Sequence, residues 1–493
     1  MNLEIELKLK VPEGSAAKLS RHPLLKGESK TVKLFSIYYD TPSLDLKAKG
    51  VAIRLRKSAG KWIQTVKGRG GVVAGVHTRH EWDLPVPKNA LDLTRFDDPF
   101  LVDIFSDPEI RHQLAPVFST EFSRKLLLLE YSGSSIECSF DRGSITSGEK
   151  AEPISELELE LKSGDPAALY DFALELLESI PLEIETVSKA GRGYSLFLGA
   201  EAHRVKKAET PAIVAGMSVR EAFLEIAQNC LIQIQENARG MLAGEEDPEF
   251  LHQMRVGVRR MRSAFSIFSR HFGKEAFLEV VSGLRWLGGE LGPARNWDVF
   301  LQETLPSVES ALPEQDFSIL RERAQSIREK NRNRAICAVA SPKYQSLLLK
   351  LGALLCRIEQ AEPLAVEEFA NEILSRRCRN FERAGKGIAS LDHLELHALR
   401  IEGKKLRYAA EFFIALHPSR SSRNFLSTIG AMQDALGAIN DAATTGHLLD
   451  ELAGEIPEAS GIMKGWVARD TAANLAQLPP RWKSFRRAKR FWT

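Results

Sequence analysis

Alternating apolar and charged positions run through the first 200 residues of this chain, and helical spacing runs through the rest. Leu3, Ile5, Leu7 and Leu9 share one side of an N-terminal stretch whose other side is Glu4, Glu6, Lys8 and Lys10. A period of two predicts a strand. The pattern returns where Glu156, Glu158 and Glu160 alternate with Leu157, Leu159 and Leu161. Arg54 and Arg56 alternate with Ile53 and Leu55, and Arg79, Glu81 and Asp83 share parity on another strand-like run. Solvated strand faces seldom concentrate Glu-x-Glu and Arg-x-Arg in this way. A closed sheet with a charged lumen, an apolar outside and covering helices accounts for it. Carboxylates in such a lumen suit hard cations, and arginine and lysine suit phosphate oxygens.

Further elements follow in order. Strands are expected at Leu34 to Tyr39, Gly50 to Lys57, Lys61 to Lys67, Val76 to Leu84, Phe122 to Tyr131, Ser135 to Asp141 and Ile154 to Lys162. A turn at Asp40-Thr41-Pro42-Ser43 closes the first of these. Gly68-Arg69-Gly70-Gly71 reads as a loop, and Leu91 to Phe118 as short helices. Asp165 to Ser179 is an amphipathic helix with Leu169, Phe172, Leu176 and Leu177 inward.

From Ser218 onward Val219, Phe223, Ile226, Cys230 and Ile234 recur at helical spacing, and strand-like alternation does not return. The expected fold class is therefore α+β: a closed antiparallel β-tunnel at 1–200, a linker at 201–217, and an all-α domain at 218–493. That domain contains a repeat. His252 with Arg255, Arg259, Arg260 and Arg262 corresponds to His397 with Arg400, Lys404, Lys405 and Arg407, an offset of 397 − 252 = 145. Leu291-Gly292 and Leu436-Gly437 keep the same offset. Two similar helical bundles are the simplest reading. His252, Arg255, Arg259 and Arg262 lie on one helix face. An all-basic stripe used twice repels itself unless an anion sits on it. The histidines are read as members of the basic stripes and not as metal ligands.

Charge and cysteines narrow the setting. The 493 residues carry a formal net charge of only +2, so a polyanion site must come from local clustering. No apolar run reaches the roughly 18 residues of a membrane span, and no signal peptide precedes the first strand. Five scattered cysteines without a CxxC spacing fit a reducing cytoplasm and small buried hydrophobes. The tail Arg481 to Arg490 is basic and aromatic; it is either an extension of a polyanion surface or a last helix with Trp482 and Phe485 packed.

Glu4-x-Glu6-x-Lys8 resembles the signature of the CYTH domain, the triphosphate tunnel metalloenzymes. The family's pattern continues in order with Tyr39-Asp40-Thr41-Pro42, Arg54-x-Arg56, Thr65-Val66-Lys67, Arg79-x-Glu81, Arg124, Asp141-Arg142-Gly143, Glu156-x-Glu158-x-Glu160 and Lys189 in Ser-Lys-Ala-Gly-Arg-Gly-Tyr. The resemblance implies metal-dependent hydrolysis of inorganic triphosphate. Glu4, Glu6, Asp141, Glu156, Glu158 and Glu160 would hold Mg²⁺ or Mn²⁺. Lys8, Arg54, Arg56, Lys67, Arg79, Arg124 and Lys189 would clamp phosphates. Glu4, Glu6, Lys8 and Lys189 would serve catalysis, with Glu4 or Glu6 as the base for a metal-positioned water. It also admits thiamine-triphosphatase and adenylate cyclase activity, although no residues suggest an adenine pocket.

The doubled His/Arg/Lys helix resembles the CHAD domain, which follows CYTH domains in many bacterial proteins. This implies a basic groove for inorganic polyphosphate, formed by His252, Arg255, Arg259, Arg260, Arg262, His397, Arg400, Lys404, Lys405 and Arg407. The stripes lack interleaved aromatics, which argues against single-stranded nucleic acid. A cytoplasmic protein associated with polyphosphate granules is the expectation. A polyphosphate-binding scaffold with a silent tunnel is the alternative from another class.

Overall fold

The structure, a computed structural model, describes residues 2–199, 203–359, 364–452 and 456–492. It divides into two compact units: Met1–Ala202 with Pro342–Arg357, and His203–Ser341 with Ile358–Thr493.

The first unit is a closed antiparallel barrel. Its strands are β1 (Asn2–Lys10), β2 (Ser29–Asp40), β3 (Ala52–Ser58), β4 (Lys61–Val73), β5 (Val76–Val86), β6 (Ala115–Tyr131), β7 (Ser134–Ser147) and β8 (Lys150–Ser163), with a two-residue β9 (Glu183–Ile184) on β1. The order β5-β4-β3-β2-β6-β7-β8-β1-β9 closes through an added β5–β1 pairing. Closure sends alternate residues to an interior and an exterior. The register stacks like-facing charges in rows: Glu4 opposite Arg79, Lys8 opposite Glu158, Lys67 opposite Glu81, and Arg124 opposite Asp141. Leu7, Leu9, Ile53, Leu55, Leu157 and Leu159 face the other way and are buried. Over β3 to β5 the apolar exterior packs with Leu46, Phe96, Leu101 and Phe105.

Two sequence readings need correction here. The glycine run at 68–71 is not a loop, because β4 continues through it and pairs with β5 across a bulge between Gly68 and Gly70. A Cβ at Gly70 would sit 1.8 Å from the Thr78 carbonyl oxygen, so the glycine permits strand contact that a side chain would block. Ala115 to Phe118 is the start of β6, paired with the end of β2, rather than helix. Short helices do occupy Pro99–Ser106 and Pro108–Gln113.

The helix Ala167–Leu177 buries Leu169, Phe172, Leu176 and Leu177 as its periodicity requires. Asp165 Oδ1 accepts the Ala167 N–H at 2.9 Å, which caps its start. Against it lies the helix Pro342–Arg357, distant in sequence. Gln345 Oε1 accepts the Ile184 N–H of β9 at 3.0 Å, and Gly352 lets the Tyr170 ring approach so closely that a Cβ would be 2.1 Å from it. The expected boundary at 218–493 therefore fails for these sixteen residues (342 to 357), whose apolar face is satisfied by the barrel unit.

The second unit is helical among its described residues, apart from an isolated bridge between Ser218 and Ala365. Ser218 forms a capping box with Glu221 at the start of Val219–Leu242. The repeat's basic stripes lie on the helices Pro248–Phe272 and His393–Phe413, which contact each other. The last helix, Pro457–Arg487, buries Trp482 and Phe485 against Phe381, with ring centroids 5.2 and 4.9 Å apart. The tail is thus the packed end of a helix as far as Arg487. Cys138, Cys230 and Cys378 are buried free thiols, Cys356 is half-buried, and Cys337 is exposed.

Candidate functional site

The barrel encloses a cavity of about 230 Å³. All seven expected phosphate-clamping residues reach it: Lys8, Arg54, Arg56, Lys67, Arg79, Arg124 and Lys189. Of the expected metal ligands, Glu4, Glu6, Glu158 and Glu160 line it. Asp141 and Glu156 do not; they lie beneath the wall, 0% and 1% exposed. Two further carboxylates, Glu81 and Asp83, do line it. Their shared parity with Arg79 was the available signal.

Pairing across the lumen is dense. Lys67 Nζ donates to Glu4 Oε1 and Oε2 at 2.8 and 2.7 Å and lies 3.3 Å from Glu81. Lys8 lies 2.6 Å from Glu6 and pairs with Glu158. Arg54 Nη2 donates to Glu81 at 3.3 Å, and its Nη1 to Tyr38 Oη at 3.3 Å. Burial raises the Glu4 carboxyl above the usual range although Lys67 opposes it. For Glu6 burial acts upward too, but Lys8 and Lys67 outweigh it and leave the carboxyl lowered. Glu158 is held well below the ordinary range because Lys189, Lys8 and Arg124 overcome its burial. Arg56 is pushed down to about 10 by burial and by Arg54.

Lys189 enters from the first position of the helix Lys189–Leu198, an element without a signal in the strand pattern. Ser188 Oγ caps that helix by accepting the Gly191 N–H at 3.2 Å. Tyr194, one turn along, donates to buried Asp40 at 2.8 Å. Asp40 in turn accepts N–H bonds from Thr41, Leu46 and Lys47 at 2.8 to 3.0 Å, locking the turn after β2 to the helix that carries Lys189. Arg192 on the same helix donates to Glu152 and Glu156 at 2.6 and 3.1 Å; sequence reading missed it.

A hard divalent cation fits this donor set. The lining carboxylates are of the type such ions prefer, and those of Glu4, Glu6, Glu158 and Glu160 face the cavity. Asp141, Glu156 and Glu158 also form a buried acidic cluster, each offering one oxygen within 4.8 Å of the others.

In the helical unit the two stripes converge. Arg255 and Arg259 from one repeat meet Arg400 and Lys404 from the other. Lys404 is pushed down to about 7 by burial, with Arg400, Arg259 and Arg255 adding to the effect and Asp441 opposing it. Arg255 is pushed down to about 10 by burial, then by Arg259, Arg295 and Arg400. His252 falls to about 4 through burial and the nearby Arg295. Arg295 was missed, although it occupies the position equivalent to Asn440, again offset by 145. His397 Nδ1 lies 3.2 Å from Asn440 Oδ1. Arg262 is exposed beside Arg285.

Three expected members leave this cluster. Arg260 is 2% exposed and donates inward to Asn229, Gln233 and the Glu209 carbonyl at 2.9, 3.0 and 2.9 Å. It lies one residue off the stripe, where interior acceptors satisfy it. Its equivalent Lys405 pairs with Glu402 at 2.5 Å. Arg407 is held by Glu411 at 2.7 Å.

Residues 2–194 match the CYTH domain family and residues 225–450 the CHAD domain family. Over 206 residues the chain is 36% identical to an inorganic triphosphatase of Haemophilus influenzae, covering 39% of this chain and 54% of that protein, so the match spans about half the relative's length. An uncharacterised protein of Mycobacterium tuberculosis is 25% identical over 485 residues, 88% of this chain and 87% of its own. The crystal structure of the CHAD domain from the plant Ricinus communis superposes with a TM-score of 0.54 at 34% identity, covering 59% of this chain and 98% of that one. The chain carries a CYTH domain over residues 2–194, followed by a CHAD domain over residues 225–450.

Proposed function

We propose that the barrel hydrolyses inorganic triphosphate with a divalent cation, and that the helical unit binds inorganic polyphosphate. The observation that carries the first half is the composition of the cavity wall. Of its lining residues, seven are lysine or arginine and six are glutamate or aspartate. Such a wall suits a ligand that is nearly all charge and gives a nucleobase little to stack on. The name of the Haemophilus relative supports the same substrate class.

Glu4, Glu6, Glu158 and Glu160 would hold Mg²⁺ or Mn²⁺. When bound, such an ion supplies charge neutralisation and orients a water nucleophile. The chain's own residues do the rest. Lys8, Arg54, Arg56 and Arg124 fix the phosphate chain through charge-assisted hydrogen bonds. Lys67 and Arg79 close the side that carries Glu4 and Glu81. Glu4, whose carboxyl burial has raised, is the better proton acceptor of the two N-terminal glutamates. Rate enhancement comes mainly from positioning and electrostatics, as in phosphoryl transfer generally.

A phosphate-release panel tests this reading: triphosphate, ATP, thiamine triphosphate and long polyphosphate, each with Mg²⁺ or Mn²⁺. Triphosphate should give the highest kcat/KM. Glu6→Gln should keep its circular dichroism spectrum and lose at least about a hundredfold in turnover, more than the ~10–100-fold typical of residues behind a metal ligand. Equal use of ATP, or cyclic nucleotide as product, would overturn the substrate.

The polyphosphate half rests on the convergence of Arg255, Arg259, Arg400 and Lys404 from two repeats. Like charges gathered at half-buried positions repel one another unless an anion neutralises them. A flexible polyanion needs only a line of cations, and its binding should be strongly salt-dependent.

A further inference from the structure

We propose that Asp141 and Glu156 are positioning residues, holding Arg124 and Lys189 at the cavity wall and taking no metal. The proposal rests on the triphosphatase reading of the barrel and divides its carboxylates into two classes. Their residue type and mutual approach make Asp141, Glu156 and Glu158 look like a metal cage. Their oxygens are already committed. Arg124 grips Asp141 with two parallel bonds, Nε to Oδ1 and Nη2 to Oδ2, both 2.7 Å. Lys189 Nζ lies 2.7 Å from the same Oδ2, 3.0 Å from Glu158 Oε1, and in contact with Glu156 Oε1. Glu156 Oε2 accepts from Arg192 at 3.1 Å. Each oxygen of Asp141 and Glu156 therefore already meets a cation: Arg124 and Lys189 for Asp141, Lys189 and Arg192 for Glu156.

A divalent ion entering this cluster would have to displace Lys189 and part of Arg124. Both would then be buried without partners, a cost of several kcal/mol per ion. Neither Asp141 nor Glu156 touches the cavity, whereas Arg124 and Lys189 do. The two carboxylates thus stand behind the phosphate clamp and hold its cations against the wall. Glu158 has a different place, because it lines the cavity as well as meeting Lys8, Arg124 and Lys189.

Asp141→Asn and Glu156→Gln in the full chain separate the two roles. Triphosphate KM should rise about tenfold with kcat changed far less, as for removal of a group that orients a binding residue. Mn²⁺ affinity, measured by titration calorimetry without substrate, should stay within about twofold, well short of the ~10–100-fold loss that follows removal of a metal-supporting group. A tenfold or greater loss of Mn²⁺ affinity in either variant, or a fall in kcat at unchanged KM, overturns the proposal. If Asp141→Asn fails to fold, Glu156→Gln leaves the Arg124–Asp141 pair intact and carries the same readouts. A manganese-soaked crystal of the unaltered protein decides independently of any variant. Anomalous density on the cavity-lining carboxylates alone supports the proposal; a peak at coordination distance (about 2–2.6 Å) from Asp141 or Glu156 sinks it. Absence of triphosphate hydrolysis by the unaltered protein would instead refute the functional reading, and the anomalous map would still locate the ion.

Discussion

Lys67 donates to both carboxylate oxygens of Glu4, at 2.8 and 2.7 Å, from the opposite side of the β5 strand that joins them. A bidentate hold of this kind opposes the burial that raises the Glu4 carboxyl. It also leaves Lys67 within 3.3 Å of Glu81, so one ammonium serves two carboxylates. Lys67→Ala should raise the triphosphate KM about 10–100-fold, the equivalent of the ~1.5–3 kcal/mol in a hydrogen bond to a charged group. Steady-state kinetics check it, and an unchanged KM would remove Lys67 from the clamp.

The repeat gives a paired expectation for the helical unit. Arg255→Ala with Arg259→Ala should weaken long-chain polyphosphate binding and flatten its dependence on salt, since each lost contact releases fewer counterions. Arg400→Ala with Lys404→Ala should act comparably. Calorimetry on a Glu6→Gln background, at two salt concentrations, measures both. Triphosphate hydrolysis, assayed without that background change, should survive either pair.

Lys404 makes the same binding sensitive to pH. Burial and the guanidinium groups of Arg400, Arg259 and Arg255 bring it to about 7, with Asp441 acting the other way. A phosphate oxygen beside it favours the charged form, so binding takes up a proton. Affinity should therefore be higher below pH 7 and fall as pH rises through 7 and above. Lys404→Arg should remove that trend, because arginine keeps its proton throughout. An equal pH profile for the two proteins would show that Lys404 does not meet the ligand.

Gly352→Leu tests the packing of the helix Pro342–Arg357 on the barrel unit. Its new side chain would be forced into the Tyr170 ring. Overpacking of this kind costs about 1–3 kcal/mol, readable as a lowered midpoint in urea. A midpoint equal to that of the unaltered chain would mean that the helix does not press on Tyr170.

Much of the barrel was legible because a period of two can be read directly, and because one-sided charge is rare on solvated strands. All seven cations and four of the six expected metal ligands do line the cavity. What escaped depends on three-dimensional pairing. The glycine run at 68–71 has turn composition, but the space it needs is set by Thr78 on the next strand. Asp141 and Glu158 share the same inward parity, yet only register and depth separate a carboxylate in the lumen from one beneath its wall. Arg260 sits one residue from the stripe, and the acceptors that draw it inward come from Asn229, Gln233 and Glu209. Arg295 is legible through the same repeat offset, four residues beyond Leu291 and equivalent to Asn440.

The placement of Pro342–Arg357 has a consequence for biosynthesis. The outer face of the helix Ala167–Leu177 meets its cover only after the intervening 203–341, which is 341 − 203 + 1 = 139 residues, has been made. At about 5–20 residues per second that delay is on the order of ten seconds. During it the nascent barrel unit carries an uncovered apolar strip on the helix Ala167–Leu177. Sixteen residues made well after the barrel strands thus set when that strip is covered.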